Sequence, residues 1–121
     1  MSIHFHEEDL GESVRFADGP IAVDTEAMGL VPGRDRLCLV QLSDGNGDEH
    51  LVRFPIESDY SAPRLKALLS DPNRLKLYHF ARFDVAMIPR YLLIIATSNR
   101  AKWYSFNRFG SERSAFRRGA E

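Results

Sequence analysis

The sequence has one cysteine, Cys38, among 121 residues. An internal disulfide is therefore impossible, and a structural zinc site built from clustered cysteines is excluded. Long hydrophobic runs are missing too. The longest unbroken apolar stretch, Tyr91 to Ala96, has six residues, against roughly 20 needed to cross a bilayer. The opening residues, Met1-Ser2-Ile3-His4-Phe5-His6-Glu7-Glu8, lack the basic-then-apolar order of a secretory signal. These absences lead us to expect a reducing, cytoplasmic setting with no membrane partner. Nor is there an excess of charge of one sign: 16 Lys+Arg stand against 17 Asp+Glu, a formal net charge of -1. The whole chain is no basic nucleic-acid coat, so any nucleic-acid contact must be local. No internal repeat is visible. What remains is 44% hydrophobic and 27% charged, the composition of a single globular domain rather than a disordered or low-complexity chain.

Charge is unevenly spread along the chain. Residues 1–89 hold nine basic and fifteen acidic side chains, whereas 90–121 hold seven basic and two acidic. The first part reads as regular structure. Ile3 to Phe5 suits a short edge strand, and Asp9 could cap a brief turn after it. Ile21-Ala22-Val23-Asp24 and Leu37 to Ser43 are mostly apolar, as in strands buried on both faces. Asp44-Gly45-Asn46-Gly47-Asp48 predicts a hairpin turn, with His50 to Phe54 as the return strand. Ser61 to Ser70 predicts a helix with Ser61 as N-cap and Leu65, Leu68 and Leu69 as its apolar stripe. Asp71-Pro72-Asn73 stops it. Leu75 to His79 predicts a strand, and a helix starts at Ala81, with Pro89 kinking or ending it. This order gives an α/β domain with a mixed sheet. Beyond Leu93, aromatics and arginines are scattered without a convincing period.

Two constellations can carry chemistry. Asp24-Thr25-Glu26 ends an apolar strand, and residues two apart in a strand project to one face. Two neighbouring carboxylates repel, so they need a cation, a proton or solvent; hard oxygen donors favour Mg²⁺ or Mn²⁺. The plain alternative is a solvated strand end with two surface acids. His79-Phe80-Ala81-Arg82-Phe83-Asp84 follows a strand and opens a helix, at the sheet edge where ligands gather in open α/β folds. Here the plain alternative is an acid interacting favourably with the helix macrodipole. Cys38, in an apolar strand, reads as an inert core thiol. His4, His6 and His50 show no ligand spacing and receive no role.

Together these segments resemble the DEDD superfamily of 3′→5′ exonucleases, in particular the ribonuclease D-like exonuclease domain. Its first motif is matched by Ile21-Ala22-Val23-Asp24-Thr25-Glu26, followed by Met28-Gly29-Leu30. Its next strand is matched by Arg36 to Ser43, and its second motif by His79-Phe80-Ala81-Arg82-Phe83-Asp84. The resemblance covers about residues 1–92. It implies a ribonuclease H-like mixed sheet flanked by helices. It also implies hydrolysis of phosphodiesters at the 3′ ends of single-stranded RNA, with DNA not excluded, by two divalent ions, Mg²⁺ or Mn²⁺, about 4 Å apart. Asp24, Glu26 and Asp84 would be the catalytic carboxylates and metal ligands. Met28, Gly29, Leu30, His79 and Phe83 would contact the terminal nucleotide. For Phe83 simple core packing is the competing reading, and for His79 a structural hydrogen bond.

The sequence departs from the family pattern in its second part. The family's third motif supplies a fourth carboxylate with a Tyr or His. After Asp84 there is no Asp, and the remaining acids are Glu112 and Glu121. We therefore expect residues 1–92 to be the N-terminal part of an exonuclease domain. Residues 93–121 would be a basic tail unlike the family, a frameshift product, with the later part of the fold missing. Such a chain would have impaired activity and would self-associate through uncovered apolar sheet surface. The alternative is a catalytically incomplete relic that binds nucleic acid or metal, with Arg100, Lys102, Arg108, Arg113, Arg117 and Arg118 making the contacts.

Overall fold

A computed structural model describes residues 2–78, 81–94, 103–106 and 112–116. Its strands are β1 (Ser2–Glu7), β2 (Ile21–Ala27), β3 (Leu37–Ser43), β4 (Asp48–Arg53), β5 (Lys76–Tyr78), β6 (Trp103–Phe106) and β7 (Glu112–Phe116). Helix α1 spans Pro63–Ser70 between β4 and β5, and α2 spans Ala81–Leu92 between β5 and β6. The seven strands form one sheet in the order β1-β4-β3-β2-β5-β6-β7. β2, β3 and β4 make an antiparallel meander, while β1 joins β4, β5 joins β2 and β6 joins β5 in parallel. This is the mixed sheet with helices that the sequence implies.

β2 sits at the centre of the sheet. Ile21, Val23 and Thr25 are buried on one of its faces, while Ala22 and Glu26 are exposed and Asp24 is half-buried on the other. The core gathers Val40 and Leu42 of β3, Val52 of β4, Tyr78 of β5, Leu65 and Leu69 of α1, and Met87, Ile88 and Leu92 of α2. Cys38 is half-buried rather than sealed in the core; its thiol lies 3.5 Å from the Arg36 carbonyl oxygen. The strands β6 and β7 fall where the sequence shows no period.

Two local expectations are corrected. Asp9 caps no turn of its own: its carboxylate accepts the backbone N–H groups of Arg64 at 3.0 Å and Leu65 at 2.8 Å. Those are orphan donors in the first turn of α1. The N-cap of α1 is Ala62, in a left-handed conformation with no side-chain cap of its own, not Ser61. An aspartate brought from the β1–β2 connection therefore does the work that Ser61 was expected to do. Replacing Asp9 by alanine is expected to cost about 1–2 kcal/mol, and asparagine, with one acceptor oxygen where two are used, should recover only part of that loss. Urea denaturation of the two variants checks this.

The three histidines assigned no role cluster across β1 and β4. His4 stacks on His50 with centroids 4.8 Å apart, and His6 on His50 at 5.3 Å. His6 Nδ1 accepts the Gly11 N–H at 3.2 Å, so its proton sits on Nε2, which donates to His50 Nδ1 at 3.0 Å. Protonating either ring breaks one of these bonds. Burial first, and then the neighbouring imidazoles, push both His6 and His50 below the usual histidine value. A pKa lower in the folded state means that the unfolded chain binds more protons on acidification. Stability is thus fully present above about pH 6.5 and falls as the pH drops below it. The melting temperature should be flat from pH 8 to 7 and decline towards pH 5, with a shallower decline in His50→Gln.

Candidate active site

The first motif lies at the far end of β2. Asp24 and Glu26 share a face of the strand, as alternation requires. Asp24 Oδ1 accepts the N–H of Thr25 at 3.0 Å, and Glu26 is exposed. At Glu26/Ala27 the register against β3 shifts, a bulge of the kind that re-aims side chains at the end of a ladder.

The second motif is placed by α2. Asp84 stands in the first turn of that helix and is fully buried. Its Oδ1 accepts a hydrogen bond from the Thr25 hydroxyl. Tyr78 is close enough for the Asp84 charge to add to burial in pushing its phenol upward. Asp84 therefore meets β2 on the Thr25 face, whereas Asp24 and Glu26 occupy the other. Phe83 is half-buried and packs on the core. His79 lies outside the described residues, as do Arg100, Lys102, Arg108, Arg117 and Arg118.

The loop between β2 and β3 follows directly on Glu26. Met28 and Leu30 are exposed in it, and Gly29 is half-buried. Asp35 organises this loop: hydrogen bonds from Arg34 and from the Val31 N–H hold its carboxyl below the usual range. Sequence reasoning missed Thr25, Asp35 and Tyr91. Tyr91 carried a legible signal, because it lies seven residues after Asp84 and so on the same face of α2.

The donor chemistry suits a divalent ion, since every candidate ligand is a hard carboxylate oxygen. The placement does not: among the described residues no three His, Cys, Asp or Glu side chains are grouped so as to hold a metal. No metal-dependent step is therefore assigned to these side chains. Among the described residues, no helix is long and apolar enough to cross a membrane.

Comparison with known proteins supports the exonuclease resemblance and the fold. A family model described as 3′-5′ exonuclease matches residues 2–106, and the chain belongs to that family. A nuclease solved in its apo form is 38% identical, with a TM-score of 0.75 over 85% of this chain and 48% of its own. Brucella melitensis NrnC bound to pGG is 34% identical, with a TM-score of 0.76 over 87% of this chain and 49% of its own. The same protein with bound Mg²⁺ gives a TM-score of 0.75 over 88% of this chain and 50% of its own. The chain thus spans about half the length of these structures. No curated protein matches the sequence.

Proposed function

We propose that this chain serves 3′→5′ exonucleolytic hydrolysis of single-stranded RNA in the cytoplasm. Water adds across the P–O3′ bond of the last linkage, releasing a nucleoside 5′-monophosphate and leaving a new 3′ hydroxyl. The observation that carries the reading is the family match over residues 2–106, which includes both carboxylate motifs. The NrnC structure bound to pGG supports short RNA as the substrate class. In this reading Asp24, Glu26 and Asp84 are the carboxylates that Mg²⁺ or Mn²⁺ would take, which requires Asp84 to give up its bond with the Thr25 hydroxyl, and Met28, Gly29, Leu30, His79 and Phe83 meet the terminal nucleotide. Residues 1–92 form the exonuclease part, and the basic segment 93–121 adds charge.

A second reading, nucleic-acid binding without cleavage, is favoured by the Thr25–Asp84 bond, which engages Asp84 away from the carboxylate pair. Linear and circular forms of one RNA separate the two. The linear form should shorten stepwise from its 3′ end with Mg²⁺ or Mn²⁺ and stay intact with EDTA, while the circle, having no end, should persist. Cleavage of the circle would contradict a 3′-end enzyme. Salt-sensitive binding with no shortening would favour the second reading. A matching DNA strand tests the preference for RNA.

A further inference from the structure

We propose that Asp35 and Tyr91 are positioning residues that hold the β2–β3 loop in the shape that receives the terminal nucleotide. The proposal rests on the reading of Met28, Gly29 and Leu30 as nucleotide-facing. The loop presents apolar side chains to solvent: Met28 is 70% exposed and Leu30 77%. A mobile loop would pay an ordering cost each time it bound a ligand. This loop is fixed from within.

Its neck is closed by the Met28 N–H donating to the Arg36 carbonyl at 3.0 Å. Inside, Asp35 Oδ2 accepts the Val31 N–H at 2.9 Å and Arg34 Nη2 at 2.8 Å. The N–H groups of Asp35 and Arg34 return to the Val31 carbonyl at 2.8 and 3.2 Å. The Asp35 carboxylate also occupies the space beside Gly29, where an added Cβ would lie 2.7 Å from Asp35 Cγ. Only glycine lets the chain pass there without displacing the carboxylate.

The loop is then fastened to α2. The Tyr91 hydroxyl donates to the Asp35 carbonyl at 2.8 Å. The Tyr91 ring leans on Tyr60 with centroids 5.3 Å apart, and the Tyr60 hydroxyl donates to the Leu37 carbonyl at 2.8 Å. Two tyrosine hydroxyls thus hold the backbone on either side of Arg36, where the loop enters β3. The Arg90 guanidinium lies against Gly33, with Nη2 3.0 Å from where a Cβ would stand. Because α2 also carries Asp84, the fastening ties the segment after Glu26 to the helix of the second motif. Tyr91 holds the Asp35 carbonyl and Asp35 holds the Val31 N–H, so in this proposal both act through the loop.

The test uses the full chain and a 5′-fluorescein-labelled single-stranded hexaribonucleotide. Binding and cleavage are followed beside amide hydrogen exchange. In Tyr91→Phe we expect Kd and KM to rise about five- to tenfold with kcat within about twofold. Exchange at the Val31 and Asp35 amides should quicken while Val40 and Leu42 stay protected. Asp35→Ala should behave in the same way. Asp35→Asn, which keeps an acceptor for the Val31 N–H, should restore affinity to within about twofold. Wild-type Kd and KM in Tyr91→Phe and Asp35→Ala, despite quicker exchange at Val31, would overturn the proposal and leave the nuclease reading standing. A wild-type chain with a protected loop that neither binds nor cleaves the RNA would overturn the nuclease reading, and this proposal with it.

Discussion

Replacing Phe54 by alanine is expected to lower the unfolding free energy by about 3–5 kcal/mol. Phe54 is 1% exposed and lies one residue past β4, where three parts of the fold meet. Its N–H donates to the Cys38 carbonyl at 2.8 Å, and its own carbonyl accepts Arg36 Nη1 at 2.7 Å. Its ring packs on Tyr60 with centroids 5.0 Å apart, and Tyr60 in turn supports Tyr91. Truncation removes a large apolar surface and leaves a cavity under that aromatic row. Against the roughly 5–15 kcal/mol that holds a typical domain together, the loss would leave little margin at 37 °C. Phe54→Leu keeps most of the volume and should cost about 1.5 kcal/mol or less. Urea denaturation of both variants measures the difference; a loss below about 1 kcal/mol in Phe54→Ala would mean that the site collapses around the gap.

The second large effect is on activity. Under the nuclease reading, Asp24→Ala should reduce RNA shortening by about a thousandfold or more, equivalent to about 4 kcal/mol of barrier. Its stability should change little, because Asp24 is half-buried at a strand end and accepts a hydrogen bond from the adjacent Thr25 N–H. Glu26→Gln should follow the same direction with an even smaller change in stability, since Glu26 is exposed. Asp84 behaves differently. It is fully buried and accepts from the Thr25 hydroxyl, so Asp84→Ala should also cost about 1–3 kcal/mol by stranding that donor. Asp84→Asn retains an acceptor oxygen and is the variant whose activity separates a chemical role from a structural one.

Much of the fold was legible because its signals are local. β2 and β3 read as apolar runs, but the expected burial on both faces is not met: only one face of β2 is buried, with Ala22 and Glu26 exposed on the other. Asp44 to Asp48 marked the hairpin, and Leu65 and Leu69 marked the buried stripe of α1. What was not legible depends on contacts between distant residues. Asp9 caps α1 across more than fifty positions, and no pattern around Ser61 signals that its capping role is taken. The strands β6 and β7 owe their place to pairing with β5 and with each other. Their sequence, dense in aromatics and arginines, lacks the alternation that would mark them. The carboxylates of the candidate site were legible as residue types at motif spacing. The Thr25–Asp84 bond was not, because alternation along β2 says only which face Thr25 occupies and nothing of what α2 brings to it. Asp35 escaped for the same reason, since its role exists only once the loop and the helix meet; for Tyr91 the spacing gave the helix face but not the partner.

The most direct test of the account is a time course of 5′-labelled single-stranded RNA with purified wild-type chain and Asp24→Ala, each with Mn²⁺ and with EDTA. A ladder that shortens from the 3′ end with Mn²⁺, and disappears in Asp24→Ala of unchanged melting temperature, is the result the account predicts. Intact RNA with folded wild-type protein, or an equal ladder from Asp24→Ala, would contradict it.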